Sequence, residues 1–403
     1  MAFVGSVVPD EPRFQTAAFS QAGQMYQHEL IVGLKNAGLP VSAIISVVPV
    51  PSRRHPQAGR LWVGSERATL PGGPPIDLIP FINVTPLKQI AIGVGTILEL
   101  LRWGWKNRHE HSRIVYCYNL SVPPGLFTLI GSRLIRAKKV VLLCDIDVPG
   151  ETAPNSLYHR LDYWLQRRLI PRFDGHVVAS DAIAHDFLPG KPYLRLEGGL
   201  RKEIFEQTGK RTASWDDRND VFVIASAGRL DETNGIPQLL EAFSLLSGGK
   251  FQLRIAGWGP LEEQVRAASS RDARIKFLGL LPFAEVLEMY DSSDLLINLR
   301  VTQIRNTKYF FPSKMMEYLA SGVPVISTCT GHVEEEFGSF TYLLREETPE
   351  ALYKLIRYVS ELDPQERRES GRMARAYMAT HKTWEAQTQK LAAFFRSIVR
   401  PSC

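Results

Sequence analysis

The 403-residue chain is 44% apolar and 22% charged, which excludes a disordered or low-complexity protein and gives enough chain for two cores. Its formal charge of +6 is uneven: of 48 Lys+Arg and 42 Asp+Glu, 21 and 15 lie in residues 1–199, leaving 27 of each beyond. That excess suits solvated surface charge, an anionic acceptor or an anionic membrane surface; with no basic run interleaved with aromatics and no zinc-finger or RNP pattern, nucleic acid is not expected as a partner.

The N-terminus, Met1 to Pro9, has no basic segment and meets Asp10 and Glu11 at once, so it reads as a first strand and not as a signal peptide. No apolar run approaches the roughly 20 residues that a spanning helix needs. Cys117, Cys144, Cys329 and Cys403 lie far apart without a C-x-x-C pair, as expected of reduced thiols in a cytoplasmic protein.

In chain order, β-branched runs predict strands at Ala2–Val8, Val41–Val48, Ile114–Tyr118, Lys139–Cys144 and His176–Ala179. Helical periods fall between them at Gln24–Asn36, Pro86–Lys106, Pro123–Arg136, Ser156–Leu169 and Asp181–Phe187, and Pro51–Pro75 reads as an irregular connection. A polar stretch follows Gly198-Gly199 through Asp220, and the alternation then restarts. Strands are expected at Val221–Ser226, Phe251–Ala256, Ile275–Leu278, Leu295–Leu299 and Pro324–Ser327, and helices at Ile236–Leu246, Leu261–Ser269, Phe283–Ser292, Lys314–Ser321 and Pro349–Ser360. Strands alternating with helices imply parallel sheets, in two domains with a hinge near 199–219.

Three motifs sit at predicted strand ends. Ser226-Ala-Gly228-Arg229-Leu230, followed by Asn234-Gly235, offers a glycine for close backbone approach and an arginine able to bond a phosphate in bidentate fashion. Ala256-Gly257-Trp-Gly259-Pro260 is a second strand–turn–helix that resembles half of a dinucleotide fingerprint without its third glycine, for which a tight structural turn is the default reading. In Phe311-Pro-Ser313-Lys314-Met-Met-Glu317, Pro312 and Ser313 predict a helix start with Ser313 as an N-cap. That end is a natural anion site, strengthened by Lys314, with Glu317 one turn on; a solvated i, i+3 pair is the plainer alternative.

Taken with Phe277-Leu-Gly279, Ser293-Asp-Leu-Leu, Glu317 to Ile326 and Gly331-x-x-Glu334, these motifs resemble, over Val221 to Leu355, the donor domain of the group 1 family of retaining glycosyltransferases. Within it they look closest to exopolysaccharide and capsule-type members. The resemblance implies an α/β chain of GT-B architecture, two Rossmann-like domains with parallel sheets facing an interdomain cleft. Residues 1–199 would form the acceptor-side domain and 200–380 the nucleotide-sugar domain, with a final helix in 381–403 packing back on the first. It implies a sugar-nucleotide donor as co-substrate, no metal and no other cofactor, and transfer of a hexose with retention to a glycan, lipid-linked or small-molecule acceptor.

By position, the resemblance gives Glu317 the ribose hydroxyls, Ser313 and Lys314 the pyrophosphate, Arg229 its charge, and the backbone of Leu278 to Leu280 the base. Gly228, Gly257 and Gly259 line the donor. Two positions depart from the family: the usual phosphate-binding lysine is Asn234, for which Lys314 is the replacement, and the first glutamate of the E-x₇-E motif is Tyr309. A non-catalytic homologue that binds a nucleotide or a partner subunit fits those two departures as well. In the N-terminal half, the loop Phe14 to Gly23 stands in the place of the family's glycine loop. Asp145, near Asp147, stands where members carry a His or Asp facing the reacting carbon. Ile90 to Arg108 ends in Trp103 and Trp105 among basic residues, as interfacial helices do; it is either a buried helix with a basic tail or a peripheral contact with the inner face of a membrane.

Overall fold

The computed structural model describes residues 1–14, 18–51, 60–70, 72–119, 124–209, 221–303 and 307–399. Cys403, part of the Phe14–Gly23 loop, parts of Pro51–Pro75 and the polar stretch 210–220 lie outside them. The chain forms two compact units, Met1–Gly199 with Trp384–Cys403, and Leu200–Thr383.

The first unit contains β1 (Ala2–Gly5), α1 (Gln21–Asn36), β2 (Ala43–Ser46), β3 (Trp62–Val63), β4 (Glu66–Thr69), β5 (Pro75–Leu78), β6 (Phe81–Ile82), α2 (Leu87–Lys106), β7 (Ile114–Tyr118), α3 (Pro124–Leu134), β8 (Lys138–Leu143), α4 (Leu157–Leu169), β9 (Gly175–Val178), α5 (Asp181–Phe187) and β10 (Leu194–Arg195). Eight strands form one sheet in the order β10-β9-β8-β7-β1-β2-β5-β4, parallel except at β4, which runs antiparallel to β5. Its strands are apolar on both faces because both are covered. Phe3, Ile44, Tyr116 and Leu142 point to one side, with Leu30 and Leu34 of α1. Their neighbours Val4, Ile45 and Val115 point to the other, with Leu100 and Trp103 of α2, the two-residue alternation of a strand. The irregular connection expected over Pro51–Pro75 is thus corrected: β3, β4 and the start of β5 fall in it.

The second unit contains α6 (Lys202–Gln207), β11 (Phe222–Arg229), α7 (Ile236–Ser244), β12 (Phe251–Trp258), α8 (Glu262–Arg271), β13 (Ile275–Gly279), α9 (Phe283–Asp291), β14 (Leu295–Asn298), α10 (Ser313–Ser321), β15 (Val325–Thr328), α11 (Val333–Phe337), β16 (Tyr342–Leu344), α12 (Pro349–Glu361) and α13 (Pro364–His381). The sheet order β13-β12-β11-β14-β15-β16 is the doubly wound 3-2-1-4-5-6 order, whose direction of winding reverses between β11 and β14 and leaves a crevice at their C-terminal ends. Ile224, Ile255 and Ile297 pack under α7 and α12. Ala225, Ala227 and Ala256 face Met315 and Leu319 of α10, and their small side chains let that helix approach β11 closely. The unit closes on itself: the Leu200 amide donates to the Lys382 carbonyl at 2.7 Å, so it extends to Thr383, three residues past the expected boundary. The last helix, α14 (Trp384–Val399), returns to the first unit, where Leu391 and Phe395 join the core beside α1.

Candidate functional site

In the second unit Gly228 and Arg229 end β11, and Lys314 of α10 meets them there, beside the crevice between β11 and β14. Tyr318 locks α10 onto the end of β11: its hydroxyl accepts from the Ala227 amide at 2.8 Å and donates to the Ala227 carbonyl at 3.2 Å. Lys314, one turn earlier, donates to the same carbonyl at 3.2 Å. A Cβ on Gly228 would sit 3.4 Å from the Lys314 Nζ, so the absent side chain leaves the ammonium room.

Burial sets the electrostatics. Lys314 is lowered to about 7, first by desolvation and then by Arg300, against the pull of Asp231 and Glu317. Glu317 is raised to about 7 by desolvation, against Arg201 and Lys314. Both side chains are half-buried, and for each the loss of water outweighs the favourable charges nearby.

Arg229 lies across the Trp258 indole at 5.1 Å, with its Nε on Asp231 at 2.9 Å. The other carboxylate oxygen of Asp231 accepts from the amide and the side chain of Asn234 at 2.9 and 2.6 Å. Asn234 is thus a buried brace of the turn into α7, with its side-chain amide engaged by Asp231. Asp231, joining Arg229 to Asn234, is a site residue the sequence reading missed. Its signal was there: an Asp three residues before an Asn-Gly that opens a helix has the spacing of a capping side chain and the amide it accepts from.

Ser313 as the N-cap is corrected. It is exposed and is the first helical residue, with Pro312 at the cap position and no side chain capping the helix; the Met315 amide donates to the Pro312 carbonyl at 2.8 Å, and the amides of Ser313 and Lys314 precede it at the helix start. Tyr309 is buried in the turn Thr307–Phe310, with the Lys308 ammonium 5.6 Å above its ring. Leu278 and Leu280 flank Gly279 at the end of β13, exposed with Trp258 as an apolar edge. Leading into α10, Phe311 stacks on the buried His332 ring at 5.0 Å. His332 in turn meets Glu336, held by Lys382 and Tyr377 at 2.7 Å each.

Gly257 and Gly259 turn out to serve the backbone. A Cβ on Gly257 would lie 1.8 Å from the Gly228 carbonyl, and one on Gly259 2.4 Å from that of Leu230. Gly257 and Gly228 share a strained φ, 139° and 130°, but only Gly257 adds a backbone clash, so Gly257→Ala is expected to cost about 3 kcal/mol or more and Gly228→Ala less, its Cβ meeting the flexible lysine tip. Urea midpoints check this, and equal losses would refute the backbone account.

In the first unit, Gly23 is the third residue of α1 and donates its amide to the capping Ser20 hydroxyl at 3.1 Å. Gln24 and Gln27 accept from the amides of Val8 and Ser6 at 3.0 and 2.9 Å and so shape the loop after β1; neither stood out in the sequence. Asp145 and Asp147 are exposed just past β8. Asp145 lies near Tyr118, whose phenol is raised by burial and then by Cys144 and Asp145.

Residues 221–361 match the family model described as Glycosyl transferases group 1. The chain is 28% identical over 180 residues to a putative colanic acid biosynthesis glycosyltransferase of Salmonella typhimurium, covering 43% of this chain and 44% of that protein; the match thus spans less than half of either. A glycosyltransferase structure from Rickettsia africae superposes with a TM-score of 0.66 at 15% identity, covering 100% of this chain and 99% of the other. Anabaena HepE in complex with UDP and glucose superposes at 0.61 and 15%, over 98% and 99%. The chain has the GT-B fold, and its residues 221–361 match the group 1 glycosyltransferase family model.

Proposed function

We propose that this chain is a glycosyltransferase that moves a hexose from a nucleoside diphosphate sugar to a glycan, lipid-linked or small-molecule acceptor, with retention and without a metal, in exopolysaccharide assembly. The observation that carries the reading is Lys314, a half-buried, poorly solvated cation fixed against β11 beside Gly228, with Arg229 nearby at the same strand end and the start of α10 beside it, which no side chain caps. A diphosphate is the ligand such a set would stabilise. The complex of HepE with UDP and glucose and the colanic acid relative support the donor class and the pathway class.

In the proposed reaction the bond from the anomeric carbon to the diphosphate breaks as the acceptor oxygen bonds to that carbon on the same face. The acceptor's proton passes to a phosphate oxygen. Lys314, Arg229 and the helix amides hold the charge that develops on the leaving group. Glu317 accepts from the ribose hydroxyls, and the backbone of Leu278 to Leu280 meets the base.

A thermal-shift panel of nucleotides and sugar nucleotides identifies the donor, since a ligand at 100 times its Kd adds about 2.7 kcal/mol, a shift of several degrees. Release of free nucleoside diphosphate, abolished in Glu317→Ala and Arg229→Ala, is the expected result. Binding without turnover across the acceptor classes would overturn it in favour of a non-catalytic homologue, the reading that Tyr309 and the engaged Asn234 favour.

A further inference from the structure

Helix α2 is apolar on the wrong side. Ile92, Thr96, Leu100 and Trp103 are buried against the sheet, as a covering helix requires. Yet Leu87, Ile90, Val94, Leu98, Leu101 and Trp105, spaced three or four apart, form the opposite stripe and are 39–69% exposed. A helix apolar on both faces is normally covered on both. Alongside it α3 adds exposed Ile130 and Leu134. The two helices meet through glycines: a Cβ on Gly93 would strike the Phe127 ring, and one on Gly131 the Leu100 side chain. They therefore present one slab.

The charge around that slab says what covers it. Residues 87–138 hold eight Lys/Arg against two Asp/Glu, an excess equal to the whole chain's +6. One of the two acids, Glu99, is neutralised locally by Arg102. At the C-terminal end Arg108 lies over the Trp105 ring at 4.8 Å, an aromatic-and-cation pair suited to a headgroup layer. A second copy docked through the same face would set one basic rim against another, which disfavours self-association. No helix of the described residues is long and apolar enough to cross a membrane, so any insertion is shallow.

We propose that the α2–α3 face docks on an anionic lipid surface, with the Leu87-to-Trp105 stripe entering the acyl boundary and the basic rim on the headgroups. The proposal stands apart from glycosyl transfer, and its test has no activity readout, so either can fail without the other.

The full chain is sedimented with phosphatidylcholine vesicles with or without phosphatidylglycerol. It should partition onto the anionic vesicles, much less onto the neutral ones, and come off as salt rises, since each basic contact is worth about fivefold at low ionic strength. Val94→Asp with Leu98→Asp should lower partitioning at least about tenfold; both side chains are exposed, and an unchanged circular dichroism spectrum and melting point establish that the fold is kept. Absence from the anionic pellet overturns the proposal, as does unchanged partitioning of the double variant. So does a concentration-dependent dimer in size exclusion that the same substitutions abolish, because the face would then belong to a second copy.

Discussion

Lys314→Met is expected to slow release of the nucleoside diphosphate by about 10²–10³-fold, the usual cost of removing one preorganised charge or donor from a developing anion. Methionine keeps an unbranched stem out to Cε and removes the ammonium. In the ligand-free chain that ammonium is poorly solvated, and its proton comes off near pH 7 instead of the ordinary 10.5. A bound diphosphate supplies the missing counter-charge and draws the proton back. Donor affinity in the wild type should therefore fall with rising pH above about 7, by up to tenfold per pH unit, with one proton taken up on binding; the Met variant should bind weakly and lose that slope. The stability effect runs the other way. Because the folded pKa lies below the unfolded one, the unfolded chain binds more protons between about 7 and 10.5, so stability rises with pH across that window and is fully penalised below it. The Met variant should thus melt higher than wild type at pH 6 and equal it near pH 11. Calorimetric titration at pH 6, 7 and 8 with single-turnover assays checks the scheme, and a turnover loss below tenfold or an unchanged pH slope would sink it.

How far this site could be read from the residues depended on what each residue type reveals. Strands buried on both faces, such as Val140–Leu143 or Leu295–Ile297, appear as unbroken apolar runs, so both sheets were legible. Strand β4, Glu66 to Thr69, was not: it is a half-exposed antiparallel edge with charged residues among Pro and Gly. Helix α13 was hidden differently. Its buried positions are Arg367, Gly371, Ala374 and Met378, a correct helical spacing carried by residues that hydrophobic counting passes over, with Arg367 Nη1 donating to the carbonyls of Ser360 and Leu362. At the site, Lys314 and Glu317 were legible because helical spacing puts them one turn apart near a helix start. The hydroxyl of Tyr318 on Ala227 was not, since tyrosine in an apolar stripe looks like core until its partner strand is known. The Asp231–Asn234 bond needed the turn geometry. It also changes the meaning of the missing lysine: the position is occupied by a residue that holds Asp231, and Asp231 holds Arg229.

Glu317→Gln should raise the melting temperature at pH 8 by several degrees and leave it almost unchanged at pH 4. Burial raises the folded carboxyl from 4.5 to about 7, so the folded chain keeps a proton that the unfolded chain has released. Below about 4.5 both states are protonated and the group contributes nothing. Between about 4.5 and 7 stability declines as pH rises, and above 7 the whole penalty is present, at most ~3 kcal/mol for a shift of that size. Glutamine removes the penalty, though it also deprives Lys314 of a favourable neighbour, so part of the gain is returned. The functional effect has the opposite sign. A carboxylate accepting from ribose hydroxyls makes charge-assisted bonds worth about 1.5–3 kcal/mol, so the same substitution should weaken donor binding about 10–100-fold at pH 8. Melting curves at pH 4, 6 and 8, paired with donor titrations, separate the two effects. A variant that melts no higher than wild type at pH 8, or whose advantage persists at pH 4, would show that Glu317 carries no burial penalty. The joint outcome, more stable and weaker binding, is what distinguishes a desolvated, half-buried carboxylate retained for a ligand from one retained for the fold: the latter would lose stability when neutralised.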